Sequence, residues 1–337
     1  MRLLFLTIGK RITPSTRFRV EQYIKYLEAD GIECTVKNIP HSNFQRFSLL
    51  KKMSDFSAVI IQKKLFSALE IYLLKRANKN IIYDFDDLVT GEHPIHGLTP
   101  KVIKVMKRNE KRFFSTLKSA RGVIAGNYFL QKMALLHNQN VAVVPTPVEM
   151  KNLPIKKVSQ KDNLIIGWIG TKSNLFYLDH YKSAWQEISK KFPKTALKIV
   201  CSIPYERNDI GITVINKEWS AEDETSDLLS FDVGIMPLTD DDWSKGKCGF
   251  KLLQYMAVGL PTVASAIGTN VEITKHGVNG FLANSDAEWV ESLSKLLTDA
   301  ELRKNMGAKA RIFVDEKYSV RVCKDRLITA IKSFINA

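Results

Sequence analysis

Residues 231–265 read FDVGIMPLTDDDWSKGKCGFKLLQYMAVGLPTVAS. Two short runs of β-favouring residues, 233–236 and 262–264, flank a longer apolar segment at 251–258 that is typical of a helix. A strand, a helix and a second strand in this order form a parallel β-α-β unit. The stretch therefore predicts a parallel sheet whose faces are covered by helices.

The same alternation continues along nearly the whole chain. Strands are predicted at 3–8, 33–39, 58–61, 80–83, 122–125, 164–169, 197–201, 233–236 and 262–264. Helices are predicted from residue 15 to a stop at Gly31, and near 66–76, 101–118, 127–136, 177–191 and 251–258. Capping boxes, in which a hydroxyl is followed three residues later by a carboxylate, mark further helix starts at Ser220, Ser285 and Thr298. The fold class is therefore α/β, with doubly wound parallel sheets.

Length and a linker-like stretch predict two domains. A chain of 337 residues holds two domains of about 150 residues each. The polar, lysine-containing stretch from 145 to 163 shows no periodicity, and we place a linker at 151–163. The predicted organisation is a first domain at 1–150, a second at 164–318 and a terminal segment at 319–337.

Composition excludes several classes of protein. With 45% hydrophobic and 25% charged residues, the chain is not intrinsically disordered. No apolar run approaches the ~20 residues that span a bilayer. The four cysteines are far apart and form neither a zinc motif nor a disulfide framework, which favours reduced thiols in the cytoplasm.

Positive charge is concentrated in the first part of the chain. The net charge is +15, and residues 1–120 hold 22 Lys and Arg against 11 Asp and Glu. Such a field attracts nucleic acid or an anionic membrane surface, or it serves only solubility. A nucleic-acid surface would present aromatic and basic residues together on one sheet face or one recognition helix, whereas the sequence shows basic helices. Within 47–76 and 101–118 the basic residues are interleaved with Leu, Phe, Ile and Val, as an interfacial helix requires. The predicted membrane set is Lys51, Lys52, Lys63, Lys64, Lys75, Arg76, Lys104, Lys107, Arg108, Lys111 and Arg112. This pattern favours the inner face of a membrane, with a nucleic-acid-binding protein as an alternative.

Loops after strands carry the candidate functional residues, because ligands of open parallel sheets bind at the carboxyl ends of the strands. The first strand is followed by GKRITPSTRFR, which contains Lys10, Arg11, Arg17 and Arg19 and suits an anion. The fourth ends in YDFDD, residues 83–87. Three carboxylates this close require a cation, a basic partner or a hydroxyl-rich ligand.

Glycine and lysine recur in the corresponding loops of the second domain. Its first strand leads into GWIGTKSN, with Gly170 at the turn and Lys172 before a helix. The stretch KGKCGFK places Lys247, Gly249 and Lys251 at the start of another helix. Glycine allows a phosphate close to backbone amides, and lysine supplies the charge.

These residues also carry a family resemblance. FDVGIMPL at 231–238, GFKLLQYMAVGLPTVAS at 249–265 and GTNVEITKHGVNGFLA at 268–283 resemble, in order and spacing, the nucleotide-sugar core of family 4 glycosyltransferases of the GT-B type. STRFR, YDFDD and IAGNYFL at 124–130 resemble a subgroup of that family. The resemblance implies two Rossmann-like domains facing across a cleft, with a C-terminal helix at 319–337 that returns to the first domain.

The resemblance also implies chemistry. A sugar would move from a nucleoside diphosphate to an acceptor hydroxyl with retention of configuration, without metal or cofactor. Asp86 or Asp87 would act on the acceptor, where relatives often carry a histidine. Gly246 and Gln254 stand where the family usually has two glutamates, whereas Glu272 matches a common family glutamate. The expected substrate-binding residues are Arg17, Arg19, Gly170, Lys172, Lys247, Gly249, Phe250, Lys251, Gln254 and Glu272.

The implied partners are a nucleotide-sugar donor and a glycan or lipid-linked acceptor, in the synthesis of cell-surface polysaccharide or glycolipid. A peripheral position on the inner face of the membrane fits a lipid-linked acceptor. An alternative that keeps the fold is a nucleotide-sugar epimerase or an inactive sugar-binding relative.

Overall fold

A computed structural model describes residues 1–9, 13–40, 42–50, 52–90, 99–158 and 160–336. The chain divides into two compact units. Unit 1 comprises Met1–Pro147, Gly246–Cys248 and Val320–Ala337, and unit 2 comprises Val148–Lys245 and Gly249–Ser319. The whole of the stretch predicted as a linker at 151–163 is thus counted with unit 2.

Unit 1 is built on a parallel sheet. In the described residues its six strands follow the order β2-β1-β3-β4-β5-β6. The strands are β1 Arg2–Thr7, β2 Glu33–Asn38, β3 Ala58–Gln62, β4 Ile81–Phe85, β5 Gly122–Ala125 and β6 Val141–Val143. Its first helices are α1 Pro14–Thr16, a π-helical turn Arg17–Glu21, α2 Gln22–Ala29, α3 Asn43–Leu50, a 3-10 turn Met53–Asp55, α4 Ala68–Ala77, α5 Pro100–Ser119 and α6 Tyr128–Leu135.

Unit 2 repeats the design. Across its described residues a six-stranded parallel sheet has the order β12-β11-β10-β7-β8-β9. The strands are β7 Ile165–Ile169, β8 Ala196–Cys201, β9 Thr213–Glu218, β10 Val233–Met236, β11 Thr262–Ser265 and β12 Phe281–Ala283. The helices are α7 Phe176–Asp179, α8 Lys182–Lys191, α9 Glu224–Ser230, α10 Asp242–Lys245, α11 Phe250–Ala257, α12 Thr269–Ile273, α13 Asp286–Thr298 and α14 Ala300–Tyr318, with a 3-10 turn at Lys172–Asn174.

The last helix, α15 Val320–Asn336, packs in the core of unit 1. Its apolar positions Val320, Leu327 and Ile331 are buried there with residues of β1, β3 and β4. A Cβ on Gly122 would lie 2.2 Å from the Phe334 ring, so the glycine at the start of β5 lets α15 approach the sheet. This helix is therefore part of the unit 1 fold.

The prediction of two doubly wound α/β sheets is confirmed. Three strands, β6, β9 and β12, were not predicted. All three are sheet edges. Strand β9 is largely exposed and polar, so it lacks the continuous apolar run of a central strand. Strands β6 and β12 are apolar but only three residues long, which is too short for a clear strand pattern. No helix in the described part of the chain is long and apolar enough to cross a membrane.

Candidate functional site

A charged cluster lies at the carboxyl ends of β3 and β4 in unit 1. The two strands pair in parallel with Gln62 opposite Asp84, which brings the residues that follow them together. The ammonium of Lys63 lies 2.5 Å from Oδ1 of Asp86 and 2.7 Å from Oδ2 of Asp87. It also donates to the Ser15 hydroxyl at 3.1 Å. One lysine therefore holds two of the three carboxylates in YDFDD.

Burial separates the two aspartates. The side chain of Asp86 is 12% exposed and that of Asp87 is 50% exposed. Burial raises the pKa of Asp86, and Lys63 partly offsets this rise. Burial alone would lower the pKa of Lys63, but Asp86 and Asp87 raise it above its usual value, so the lysine stays cationic. The arrangement leaves Asp87 facing solvent and Asp86 bound beneath it.

Lys63 also has an unusual backbone. Its φ is 51°, in the left-handed region that favours glycine, and its amide donates to the Asp84 carbonyl at 2.8 Å. Such a conformation costs about 1–3 kcal/mol and persists where surrounding contacts hold it. Strain of this kind is concentrated at functional sites.

Arg19 is placed differently from its predicted role as a substrate ligand. Its side chain is 3% exposed, and its Nε donates to Asp84 Oδ2 at 2.9 Å while a second nitrogen pairs with Oδ1. Its Nη1 donates to the Val144 carbonyl at 2.9 Å. The guanidinium is thus buried inside unit 1. It pairs with Asp84, the third carboxylate of YDFDD, and does not face a substrate anion.

Arg17 lies in the π-helical turn and is half-buried, with its guanidinium 4.2 Å from the centre of the Phe18 ring. Arg17 is a described, partly exposed residue of this loop, so it stays a predicted ligand for an anion. Lys10 and Arg11, which the sequence placed in the same loop, lie outside the described residues.

The segment Gly246–Cys248 contacts the same edge of unit 1. The Lys247 carbonyl accepts a hydrogen bond from Asn127 Nδ2 at 3.0 Å, and the Cys248 thiol donates to the Asp86 carbonyl at 3.0 Å. A Cβ on Gly126 would lie 2.5 Å from that sulfur. The backbone of Lys247 is thereby fixed beside the aspartate cluster.

The second candidate region lies at the carboxyl edge of the unit 2 sheet. The chain order reverses on either side of β7, which lies between β10 and β8, and ligands of such sheets bind at this switch point. Gly170 ends β7. A Cβ on Gly170 would lie 2.7 Å from Cε of Lys251, whose ammonium is 5.5 Å from the centre of the Trp168 ring. The structure therefore brings Gly170 and Lys251 together.

Glycines begin both helices that face this edge. Gly249, the N-cap of α11, has a φ of 64°, and Gly268, the N-cap of α12, has a φ of 52°. A side chain on Gly249 would also meet Ile273 of α12 at 2.5 Å. Neither N-cap has a side-chain hydrogen bond to the first turn, so backbone amides and the helix dipole are presented at the helix start.

The other predicted donor-side residues lie on the same elements. Lys172 is exposed in the turn after β7, and Phe250 is the half-buried first residue of α11. Gln254 is 9% exposed one turn into α11. Glu272 is exposed on α12. Three of these predicted residues thus belong to the β7 loop or α11, and the fourth, Glu272, belongs to the neighbouring short helix.

Sequence reasoning missed two contributors. Lys63 was counted among basic surface residues, although its side chain is 10% exposed and bound to two carboxylates. Tyr255 accepts a hydrogen bond from the Ile169 amide at 3.0 Å, which ties α11 to the end of β7. The apolar residues around Tyr255 predict that its ring is buried, but they do not show that its hydroxyl binds the Ile169 amide.

Comparisons with known proteins agree with this fold. The sequence model of the family Glycosyl transferases group 1 matches residues 163–299. An uncharacterized glycosyltransferase of Haemophilus influenzae is 30% identical over 184 residues, which cover 50% of this chain and 49% of that protein. The chain thus spans about half the length of this curated relative.

Solved structures extend the likeness to the whole chain. HepE of Anabaena, solved in complex with UDP and glucose, has a TM-score of 0.69 at 15% identity, covering 99% of this chain and 100% of that chain. WaaG, a glycosyltransferase involved in lipopolysaccharide biosynthesis, has a TM-score of 0.69 at 14% identity, covering 97% and 98%. Residues 163–299 therefore match the group 1 glycosyltransferase model, and the chain has the GT-B fold of these solved glycosyltransferases.

Proposed function

We propose that this protein transfers a sugar from a nucleoside diphosphate to an acceptor hydroxyl. The observation that carries the proposal is the pairing of Gly170 with Lys251 at the switch point of unit 2, beside the start of α11. A close glycine, a lysine and exposed helix amides suit a diphosphate. HepE, which shares the fold, was solved with UDP and glucose.

The donor-side residues have distinct roles in this proposal. Lys251, Lys172 and the amides at Gly249 and Phe250 stabilise the negative charge that grows on the leaving diphosphate as the sugar acquires oxocarbenium character. Gln254 and Glu272 hydrogen-bond hydroxyls of the ribose or the sugar. Lys247 adds a positive charge from the segment counted with unit 1.

The acceptor side uses the cluster in unit 1. The bond between the anomeric carbon and the diphosphate breaks, a bond to the acceptor oxygen forms, and the hydroxyl proton leaves. Asp87 is the half-exposed carboxylate that can receive it, with Asp86 and Lys63 fixing its position. Arg17 contributes to acceptor binding as a cation at the same edge. We further propose that the transfer retains configuration without a covalent enzyme intermediate.

A thermal-shift screen against UDP-, GDP-, ADP- and dTDP-sugars tests donor binding. A ligand at a hundred times its dissociation constant stabilises the folded protein by about 2.7 kcal/mol. One nucleotide series is expected to raise the melting temperature and, on incubation, to release its diphosphate. A protein that none of the four stabilises would contradict the proposal.

The acceptor is proposed to be lipid-linked and to serve cell-surface polysaccharide or glycolipid synthesis. The fold is shared with WaaG, whose described role is in lipopolysaccharide biosynthesis. Helix α5 carries exposed basic residues at Lys104, Lys107, Arg108 and Lys111, a spacing that places them on one face. This basic face suits the anionic inner surface of a membrane.

One residue leaves the predicted membrane set. Lys63 is bound to the aspartate cluster and its side chain is 10% exposed, which overturns its assignment to that surface. Lys51 lies outside the described residues. Lys75 and Arg76 on α4 remain exposed. Two exposed apolar residues of α4, Leu69 and Tyr72, precede them.

The protein is expected to co-sediment with anionic vesicles and to be released by salt. Each basic group near such a surface contributes about 1 kcal/mol. The triple variant Lys104→Gln, Lys107→Gln and Lys111→Gln should therefore lose most of the binding. The control carries the same charge change in unit 2, through Lys190→Gln, Lys191→Gln and Lys304→Gln. Equal recovery on neutral and anionic vesicles would show that this attachment is absent.

A further inference from the structure

Unit 1 contains a cavity of about 510 Å³ that the proposed chemistry does not use. It lies beyond the carboxyl ends of β2 and β3 and is bounded by α3, α4 and α5. Its walls are mainly apolar and include Leu50, Leu65, Phe66, Leu73 and Leu74. The volume falls in the range of about 300–1,000 Å³ that is usual for small-molecule sites.

Cations line the same cavity. Among the described residues, Arg46, Lys64 and Arg112 contribute to its wall, together with one acidic residue, Glu70. Arg46 pairs with Glu70 at 2.6 Å, and the Glu70 carboxylate also caps the start of α4 through Ser67. Arg46 is therefore neutralised by Glu70, and Lys64 and Arg112 add two further positive charges to the described wall.

The charges on this wall repel one another. Burial lowers the pKa of Lys64, and the nearby Arg46 and Arg112 lower it further, while Glu70 partly offsets the effect. Hydrogen bonds from Ser67 and Arg46 lower the pKa of Glu70 despite its burial, so this acid stays ionised. An anion beside the cations would relieve the repulsion.

We propose that this cavity binds the apolar chain of a phosphate-bearing lipid, with Lys64 and Arg112 on the phosphate. Arginine suits phosphate through its paired donors, and apolar walls suit the chain. Lys63 holds Asp86 and Asp87, and the next residue, Lys64, lines the cavity. The lipid would therefore lie next to the carboxylates. Its role as the sugar acceptor rests on the proposed function, whereas its binding does not.

Titration calorimetry with monomeric dodecyl phosphate tests the proposal on the full chain. Binding to one site is expected, with inorganic phosphate at least about a hundredfold weaker and dodecyl maltoside at least about tenfold weaker, since each lacks one part of the ligand. Phosphate binding as tightly as dodecyl phosphate would show an anion site without a lipid chain. Dodecyl maltoside that binds as tightly as dodecyl phosphate would show an apolar site that does not recognise the phosphate head group. Either result overturns the proposal.

Variants locate the site. Arg112→Gln should weaken dodecyl phosphate binding about tenfold or more, whereas Arg321→Gln, at an exposed arginine on α15 of the same unit, should not. Leu73→Trp should block the cavity. If both Arg112→Gln and Leu73→Trp bind like the unmodified protein, the proposed site is wrong.

The same samples are titrated with the sugar nucleotide that the thermal-shift screen selects. Loss of dodecyl phosphate binding with intact donor binding would remove the cavity proposal alone. Failure to bind any donor, with dodecyl phosphate bound, would contradict the proposed transfer and leave the lipid site standing.

Discussion

Replacing Asp87 by Asn is expected to reduce sugar transfer by about 10²–10⁴-fold, the usual contribution of a positioned general base. Asparagine keeps the size of the side chain but cannot accept the acceptor proton. The ion pair between Lys63 and Asp86 remains in this variant, so the local fold should persist. Initial rates of diphosphate release with and without acceptor measure the effect.

Donor affinity separates this role from a structural one. It should stay unchanged in Asp87→Asn, because the residue belongs to unit 1 and the donor is assigned to unit 2. Asp55→Asn, an exposed carboxylate elsewhere in unit 1, is the matched control. Normal transfer rates in both Asp86→Asn and Asp87→Asn would show that the cluster is structural.

Replacing Lys251 by Ala is expected to weaken donor binding about 10- to 100-fold, since a charge-assisted contact contributes about 1.5–3 kcal/mol. The side chain starts in the first turn of α11 and approaches Gly170 at the end of β7. Turnover should fall as well, because charge on the diphosphate increases in the transition state. Titration with the nucleotide sugar and steady-state rates give the two quantities.

A second lysine sharpens this experiment. Lys172→Ala should weaken binding less than Lys251→Ala, because Lys172 is exposed and its charge is screened by solvent. If both lysines contact the same diphosphate, the double variant should deviate from additivity. Lys190→Ala, on the exposed surface of α8, serves as the control. Wild-type affinity and rate in Lys251→Ala would contradict the assignment.

The sequence predicted the central strands because buried parallel strands are continuous apolar runs. The edge strand β9 reads TVINKE, with two of its six residues charged, and its position depends on pairing with β8. The local sequence pattern does not show that this segment pairs with β8. Helix α14 begins one residue later than predicted, because the Asp299 carboxylate, not the Thr298 hydroxyl, caps it by accepting from the Leu302 amide.

The candidate site was predictable where one loop carries it and not where two loops meet. Asp86, Asp87 and Gly170 follow strands directly, so their place at the sheet edge could be inferred. The contact of Lys63 with Asp86 depends on β3 and β4 being neighbours, which the sequence does not state. Arg19 was predictable in part: it lies four residues before Tyr23 and eight before Leu27, on the buried face of the helical segment.

Amide hydrogen exchange with and without the selected nucleotide sugar tests the central claim that the carboxyl edge of unit 2 holds the donor diphosphate. Bound donor orders the amides that contact it, and their exchange slows. We expect protection of the amides of Thr171 and Lys172 after β7 and of Phe250 and Lys251 at the start of α11. Saturating donor that leaves both segments exchanging as in the ligand-free protein would contradict it.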